Sequence, residues 1–134
     1  MSDISATDPT AARLAIHELV ARYNMSWDRE DVDGVLACFT PDGVFVDAAG
    51  GEHRGHEALR TFVSASPAAF GRMRHITSSH LVEQLTGRTA RHRCYVVFVS
   101  HPAGERVLDT GEYDDAVEFT EGSWRFTSRT VAFD

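Results

Sequence analysis

The stretch Val107-Leu108-Asp109-Thr110-Gly111-Glu112-Tyr113-Asp114-Asp115-Ala116-Val117-Glu118-Phe119 reads as one long β-strand. Val107, Gly111, Tyr113, Asp115, Val117 and Phe119 share one face, and Glu112, Asp114 and Glu118 share the other. The acids mark the solvent side, and a one-residue slip would invert every side chain, so the pattern fixes the register. It also turns Asp115 inward, where a carboxylate needs a partner or must stay neutral.

Three segments of the same kind surround it, residues 73–85, 89–101 and 123–133, and the four together are rich in Val, Phe, Thr and Tyr. Turn signals separate the four at Thr86-Gly87, Pro102-Ala103-Gly104 and Glu121-Gly122. Loops this short between consecutive strands imply an antiparallel meander. The N-terminal half has a helical period instead. Asp8-Pro9 opens a helix with Ala12, Ile16, Leu19, Val20, Tyr23 and Trp27 on its apolar face. A second helix fits Glu30 to Phe39, with Val32, Val35, Leu36 and Phe39 inward. Pro41-Asp42-Gly43 turns into a strand, Val44 to Asp47. Ala48 to Gly55, with three glycines, reads as a loop, and a third helix buries Leu59, Phe62, Val63 and Phe70. Helices first and strands afterwards predict an α+β fold, a curved sheet covered on one side by helices.

With 134 residues and no repeat or linker, a single domain over 1–134 is expected. Cys38 and Cys94 each lie in an apolar run and read as buried, reduced thiols. Residues Met1 to Ala6 lack the basic start and apolar core of a leader, and no apolar run approaches the ~20 residues of a membrane span. A cytoplasmic protein without a membrane partner is therefore expected. The net charge is −7 with scattered basic residues, which argues against nucleic acid as a partner. All 13 basic residues are arginine, and without a lysine amine Schiff-base chemistry is excluded.

Four pieces of the chain carry a family resemblance. They are Arg22-Tyr23 with Trp27-Asp28 and Asp31-Val32-Asp33-Gly34-Val35-Leu36; Phe39-Thr40-Pro41-Asp42-Gly43-Val44-Phe45; Arg74-His75-Ile76-Thr77; and Gly111-Glu112-Tyr113-Asp114-Asp115 with Gly122-Ser123-Trp124-Arg125-Phe126 and Arg129. In this order they resemble the SnoaL-like branch of the nuclear-transport-factor-two-like superfamily, over essentially the whole chain. The resemblance implies a cone-shaped roll around one apolar pocket, and commonly a homodimer or higher homo-oligomer. It does not imply one activity. Members include dehydratases, isomerases, polyketide cyclases, epoxide hydrolases, dioxygenase small subunits and non-catalytic domains, so the site must be argued on its own.

Asp28, at the end of the first helix, and His75, near the start of a strand, look like the Asp–His pair of scytalone dehydratase and related dehydrohalogenases. A carboxylate bonded to one imidazole nitrogen fixes the tautomer and leaves the other nitrogen to take a proton. The plainer reading is a turn-capping Asp and a core His. Strict alternation places Met73 and Leu81 on the face of His75. Tyr23, one turn before Trp27, either polarises a carbonyl from the pocket wall or is core with a polar tip. Trp27 and Tyr113 are expected to line the same pocket. Tyr23, Asp47 and Asp115 also look like the oxyanion tyrosine, base and protonated acid of ketosteroid isomerase. Arg129 stands across the last strand from Trp124 and Phe126 in strict alternation. It either meets an anion in the pocket, as the resemblance to dehydrohalogenases implies, or pairs with Asp115 or Asp47.

The other histidines carry less. His53-Arg54-Gly55-His56 lacks a third ligand, so no metal site is expected. His17 falls on the outer helix face, and His80, His92 and His101 are strand residues, of which His92 or His101 could reach the pocket. There is no phosphate-cradling loop or nucleophile elbow, and cofactor-independent chemistry is expected. The leading expectation is a lyase or isomerase, dehydratase-type, acting on a small apolar cyclic carbonyl or hydroxy substrate. His75 would be the base, Asp28 its orienter, Tyr23 the polarising donor, with Asp47, Asp115 and Arg129 at the polar end. The alternatives are isomerisation or polyketide ring closure with Asp47 as base, a non-catalytic ligand-binding domain, and a dioxygenase small subunit.

Overall fold

Asp8 starts the first helix: its carboxylate accepts from the backbone N–H of Thr10 and Ala11 at 3.0 and 3.5 Å, and Pro9 fills the first turn. The computed structural model describes residues 8–134, so the leader reading at Met1 to Ala6 lies outside the described residues. Helix α1, Pro9–Asp28, buries Ala12, Ile16, Leu19, Val20, Tyr23 and Trp27, the face its spacing predicts. Burial of each large apolar side chain stabilises the fold by about 1.5–3 kcal/mol. Asp31 caps helix α2, Val32–Ala37, which is shorter than expected because Phe39 already opens strand β1, Phe39–Val46. Pro41-Asp42-Gly43 does not precede the strand but bulges within it. The partner of Phe39 is Phe126, whereas that of Val44 is Ser128.

The glycine-rich loop is shorter than its composition suggests. Gly50, at φ 86°, makes the turn, and Glu52–Arg54 returns as a short edge strand, β2, antiparallel to β1. Three residues are too few to display a period. Helix α3, Gly55–Phe70, buries Leu59 and Val63, half-buries Phe62, and leaves Phe70 exposed at its end.

Strands β3 (Met73–Glu83), β4 (Thr89–Ser100), β5 (Val107–Thr120) and β6 (Ser123–Phe133) form the expected meander. The six strands run in the order β2-β1-β6-β5-β4-β3, and β1–β6 is the parallel pair. Two irregularities decide what faces inward. In β3, Ser79 adopts φ 59° and the pairing moves from Ser78–Tyr95 to Leu81–Arg93. That extra residue buries Val82 and leaves Leu81 exposed, so Leu81 does not share the face of His75. In β6 the pairing shifts from Val117–Phe126 to Ala116–Ser128. Arg129 is thereby turned to the same inner side as Trp124 and Phe126, and all three are buried. Helices α1 and α3 cover the concave face of this α+β sheet, and one apolar core lies between the layers. Cys38 and Cys94 are free and buried. Among the described residues, no helix is long and apolar enough to cross a membrane.

Candidate active site

The last residue of α1 reaches across to the start of β3. The Asp28 carboxylate accepts from the backbone N–H of His75 through both oxygens at 3.1 Å, and from His75 Nδ1–H at 2.6 Å. Both side chains are nearly sealed from solvent, at 2% exposure for His75 and 7% for Asp28. Burial pushes the imidazole below its ordinary 6.5, and Asp28 only partly offsets that. His75 is therefore neutral at pH 7. With Nδ1 donating to Asp28, the lone pair of the neutral ring resides on Nε2, which makes no hydrogen bond to the described residues. The rings of Phe98, Trp27 and Tyr23 hold the imidazole, with centroids at 4.9, 5.5 and 6.0 Å.

His75 lines an apolar cavity of about 120 Å³ between the helices and the sheet. Tyr23 and Trp27 of α1, Phe62 of α3, Phe98 of β4 and Tyr113 of β5 form its walls, with Phe133 at the end of β6. Trp27 is fixed there by donation from Nε1 to Ser66 Oγ at 3.2 Å. The Tyr23 hydroxyl is fully buried and faces that of Tyr113, without completing a hydrogen bond of ordinary geometry. Burial raises both phenols well above their ordinary range, so both stay protonated. A second, more polar hollow of about 180 Å³ opens on the other side of Asp28, toward Arg72 and Glu30. It does not include His75, and Trp27 is the one aromatic ring in its lining.

The other acids behave differently. Asp47 reaches the cavity rim, but its Oδ1 accepts from the N–H of Ala49 and Gly51 at 2.9 Å and its Oδ2 contacts His53 Nε2 at 2.8 Å. The His53 contact, followed by the Gly51 amide, holds Asp47 below the usual carboxylate range. That makes it a weak base. Asp115 is inward as expected, yet neither it nor Arg129 lines the cavity. They lie beneath it as an ion pair, Arg129 Nε to Asp115 Oδ1 at 3.2 Å. The guanidinium sits 3.5 Å from the Tyr113 ring centroid, 4.3 Å from Tyr23 and 4.5 Å from Phe126. Two expected pocket residues are thus the floor's support rather than its lining.

A family model for the SnoaL-like domain matches residues 8–130. The chain belongs to the SnoaL-like domain family. The SnoaL-like chain resembles Rv3472, a function-unknown protein from Mycobacterium tuberculosis, at 34% identity and TM-score 0.83, over 90% of this chain and 70% of that one. A candidate aromatic ring hydroxylase from Novosphingobium aromaticivorans is 32% identical, with TM-score 0.87 over 93% of this chain and 90% of its own. The hexachlorocyclohexane dehydrochlorinase LinA-type3 from Novosphingobium barchaimii LL02 shares the fold at TM-score 0.85 but only 18% identity, over 99% and 91% of the two chains. No curated protein matches the sequence.

Within this SnoaL-like fold the residues read from sequence separate into two groups. His75, Tyr23, Trp27 and Tyr113 line the cavity, with Asp28 behind His75 and Asp47 at the rim. Asp115 and Arg129 lie below. His101 is half-buried outside the cavity, its Nδ1–H donating to the Arg72 carbonyl at 2.9 Å, and His92 lies away from the cavity beside Asp115. Phe62, read as an inward helix residue, and Phe45 and Phe98, which the sequence pattern did not single out, all line the cavity. Alternation and helical period distinguish inside from outside but do not distinguish a wall from a filled interior.

Proposed function

We propose that this chain is a cofactor-independent acid–base enzyme of the lyase or isomerase type, acting on a single-ring apolar substrate that carries a carbonyl or hydroxyl. The observation that carries the reading is the Asp28–His75 pair beside a ring-lined cavity. His75 Nε2 is the base that takes a proton next to the carbonyl, and Asp28 holds the tautomer and stabilises the imidazolium that forms. The hydroxyl of Tyr23 donates to oxygen as negative charge develops there. An apolar cavity of about 150 Å³ holds a benzene-sized guest, so 120 Å³ favours one ring over several. Elimination of water or another leaving group is favoured over isomerisation through Asp47, whose carboxylate is already engaged by two amides and His53.

The enzyme works as a homodimer in this reading, paired through the outer sheet face where Ile76, Tyr95 and Leu108 stand exposed. The test is proton exchange. Cyclic ketones and β-hydroxy ketones are incubated with protein in D₂O, and loss of the α-proton signal is followed by NMR. Exchange by the wild type that is abolished in His75→Gln supports the proposal. Equal exchange in both proteins removes His75 as the base, and no exchange with any substrate of this class returns the chain to ligand binding.

A further inference from the structure

Away from the cavity, a row of polar side chains crosses the concave face of the sheet. Arg129 of β6, Asp115 of β5 and His92 of β4 stand directly opposite one another in register. The row continues to His80 of β3: Asp115 Oδ2 is 2.8 Å from His92 Nδ1, and His92 Nε2 is 2.9 Å from His80 Nδ1. Cys94 lies two residues beyond His92 on the same inward face of β4. One ring nitrogen of His80, one of His92 and the Cys94 Sγ all lie within 4.8 Å of one another. His92 and Cys94 are buried, His80 is half-buried, and none of the three lines the cavity.

We propose that His80, His92 and Cys94 form a zinc-type metal site, with Asp115 as the residue that orients His92. Three features support this. Donation of His92 Nδ1–H to Asp115 leaves Nε2 bare and aimed at the other donors, the carboxylate–histidine arrangement that commonly backs a metal ligand. Two imidazoles and one thiolate suit a borderline-soft ion such as Zn²⁺, not Mg²⁺ or Ca²⁺. The two imidazole nitrogens share a single proton at 2.9 Å, and a metal ion can replace that proton. Zinc bonds of about 2.0–2.3 Å set donor atoms roughly 3.5 Å apart, so the two imidazole nitrogens, now at 2.9 Å, open by roughly 0.6 Å and the sulfur closes by about 1.3 Å at most. On binding, the Cys94 thiol releases one proton to solvent, and His80 moves its proton from Nδ1 to Nε2. No electron is transferred. His17 of α1, whose ring centroid is 5.1 Å from that of His80, or a water completes the fourth position.

Sequence spacing concealed this site. The ligands are not a short motif, and the Ser79 bulge in β3 lies between the pairing of Ser78 and that of Leu81, beside His80. The site is independent of the proposed catalysis, and its test does not use activity. The full chain, stripped of metal, is titrated with Co²⁺ and then with Zn²⁺. The expected result is one ion per chain at a dissociation constant of about 1 µM or tighter, with a thiolate-to-cobalt charge-transfer band and tetrahedral visible bands. Cys94→Ser should remove the charge-transfer band and weaken zinc at least about 100-fold, and His80→Gln should weaken it about 10–100-fold. Cys38→Ser and His101→Gln should bind as the wild type does. If the Cys94 variant does not fold, the wild-type cobalt spectrum still decides. Absence of a thiolate band, absence of tight binding, or binding unchanged in His80→Gln would overturn the site.

Discussion

Asp28 holds His75 at two places, at the backbone N–H with 3.1 Å contacts to both carboxylate oxygens and at Nδ1 with a 2.6 Å contact. The double grip fixes the strand start and the ring by one side chain. It also couples helix α1 to β3 at the cavity wall. A capping role alone would need only the backbone contact.

This separation predicts the behaviour of Asp28→Asn. The amide oxygen can still accept from the His75 backbone, so the fold should persist with little change in thermal midpoint. Its NH₂ facing Nδ1 favours the tautomer with the proton on Nε2, which removes the base. Proton abstraction should fall by about 10²–10⁴-fold. Nitrogen-15 shifts of the imidazole report the tautomer directly, and an unchanged tautomer with unchanged turnover would remove Asp28 from the mechanism.

The pH dependence follows from the depressed His75 pKa. The base is active when neutral, so the rate should rise with pH and level off below 6.5, the ordinary value for imidazole. Stability shifts in the same direction. Below about 6.5 the unfolded chain binds a proton that folded His75 resists, so this contribution is present above 6.5 and declines as pH falls toward the lower folded pKa. Thermal midpoints of wild type and His75→Gln between pH 7.5 and 5 test this, with a shallower acid decline expected for the variant. Parallel curves would contradict it.

Arg129 and Asp115 should prove structural by a different signature. Asp115→Ala leaves a fully buried guanidinium without its carboxylate and should cost about 3–5 kcal/mol. Arg129→Lys keeps the charge but loses the planar stack 3.5 Å from Tyr113, at a cost of about 2 kcal/mol or more. The double variant Asp115→Leu/Arg129→Met should cost less than the sum of its singles, because neither charge is then left alone. Urea unfolding measures the cycle, and strict additivity would show that the two do not interact.

The sequence carried the sheet further than the site. Alternation in β5 was readable because Gly111 to Glu118 pairs with β4 without interruption, and each expected inward residue of that run is buried. It failed for Leu81 and Arg129, where Ser79 in β3 and the shift near Ser128 in β6 each insert a residue. Bulges change facing without a composition signal. Asp28 and His75 were legible as a pair only through family resemblance, since 47 residues separate them and no local pattern links them. The cluster at His80, His92 and Cys94 had no such guide.

One backbone approach behind the cavity can be tested by adding a single methyl group. Gly111 in β5 pairs with Phe133, and a Cβ at this position would collide with the Ala132 carbonyl oxygen and lie 3.1 Å from the Phe133 ring. Backbone cannot yield as a flexible side chain does, so Gly111→Ala must displace the end of β6. The expected cost is about 1–3 kcal/mol in urea unfolding. Because Val131 and Phe133 line the cavity from that same strand end, the variant should also bind an apolar fluorescent probe more weakly than the wild type does. Loss of stability with unchanged probe affinity would mean that the strain is absorbed outside the cavity, and an unchanged midpoint would mean that β6 can move aside freely.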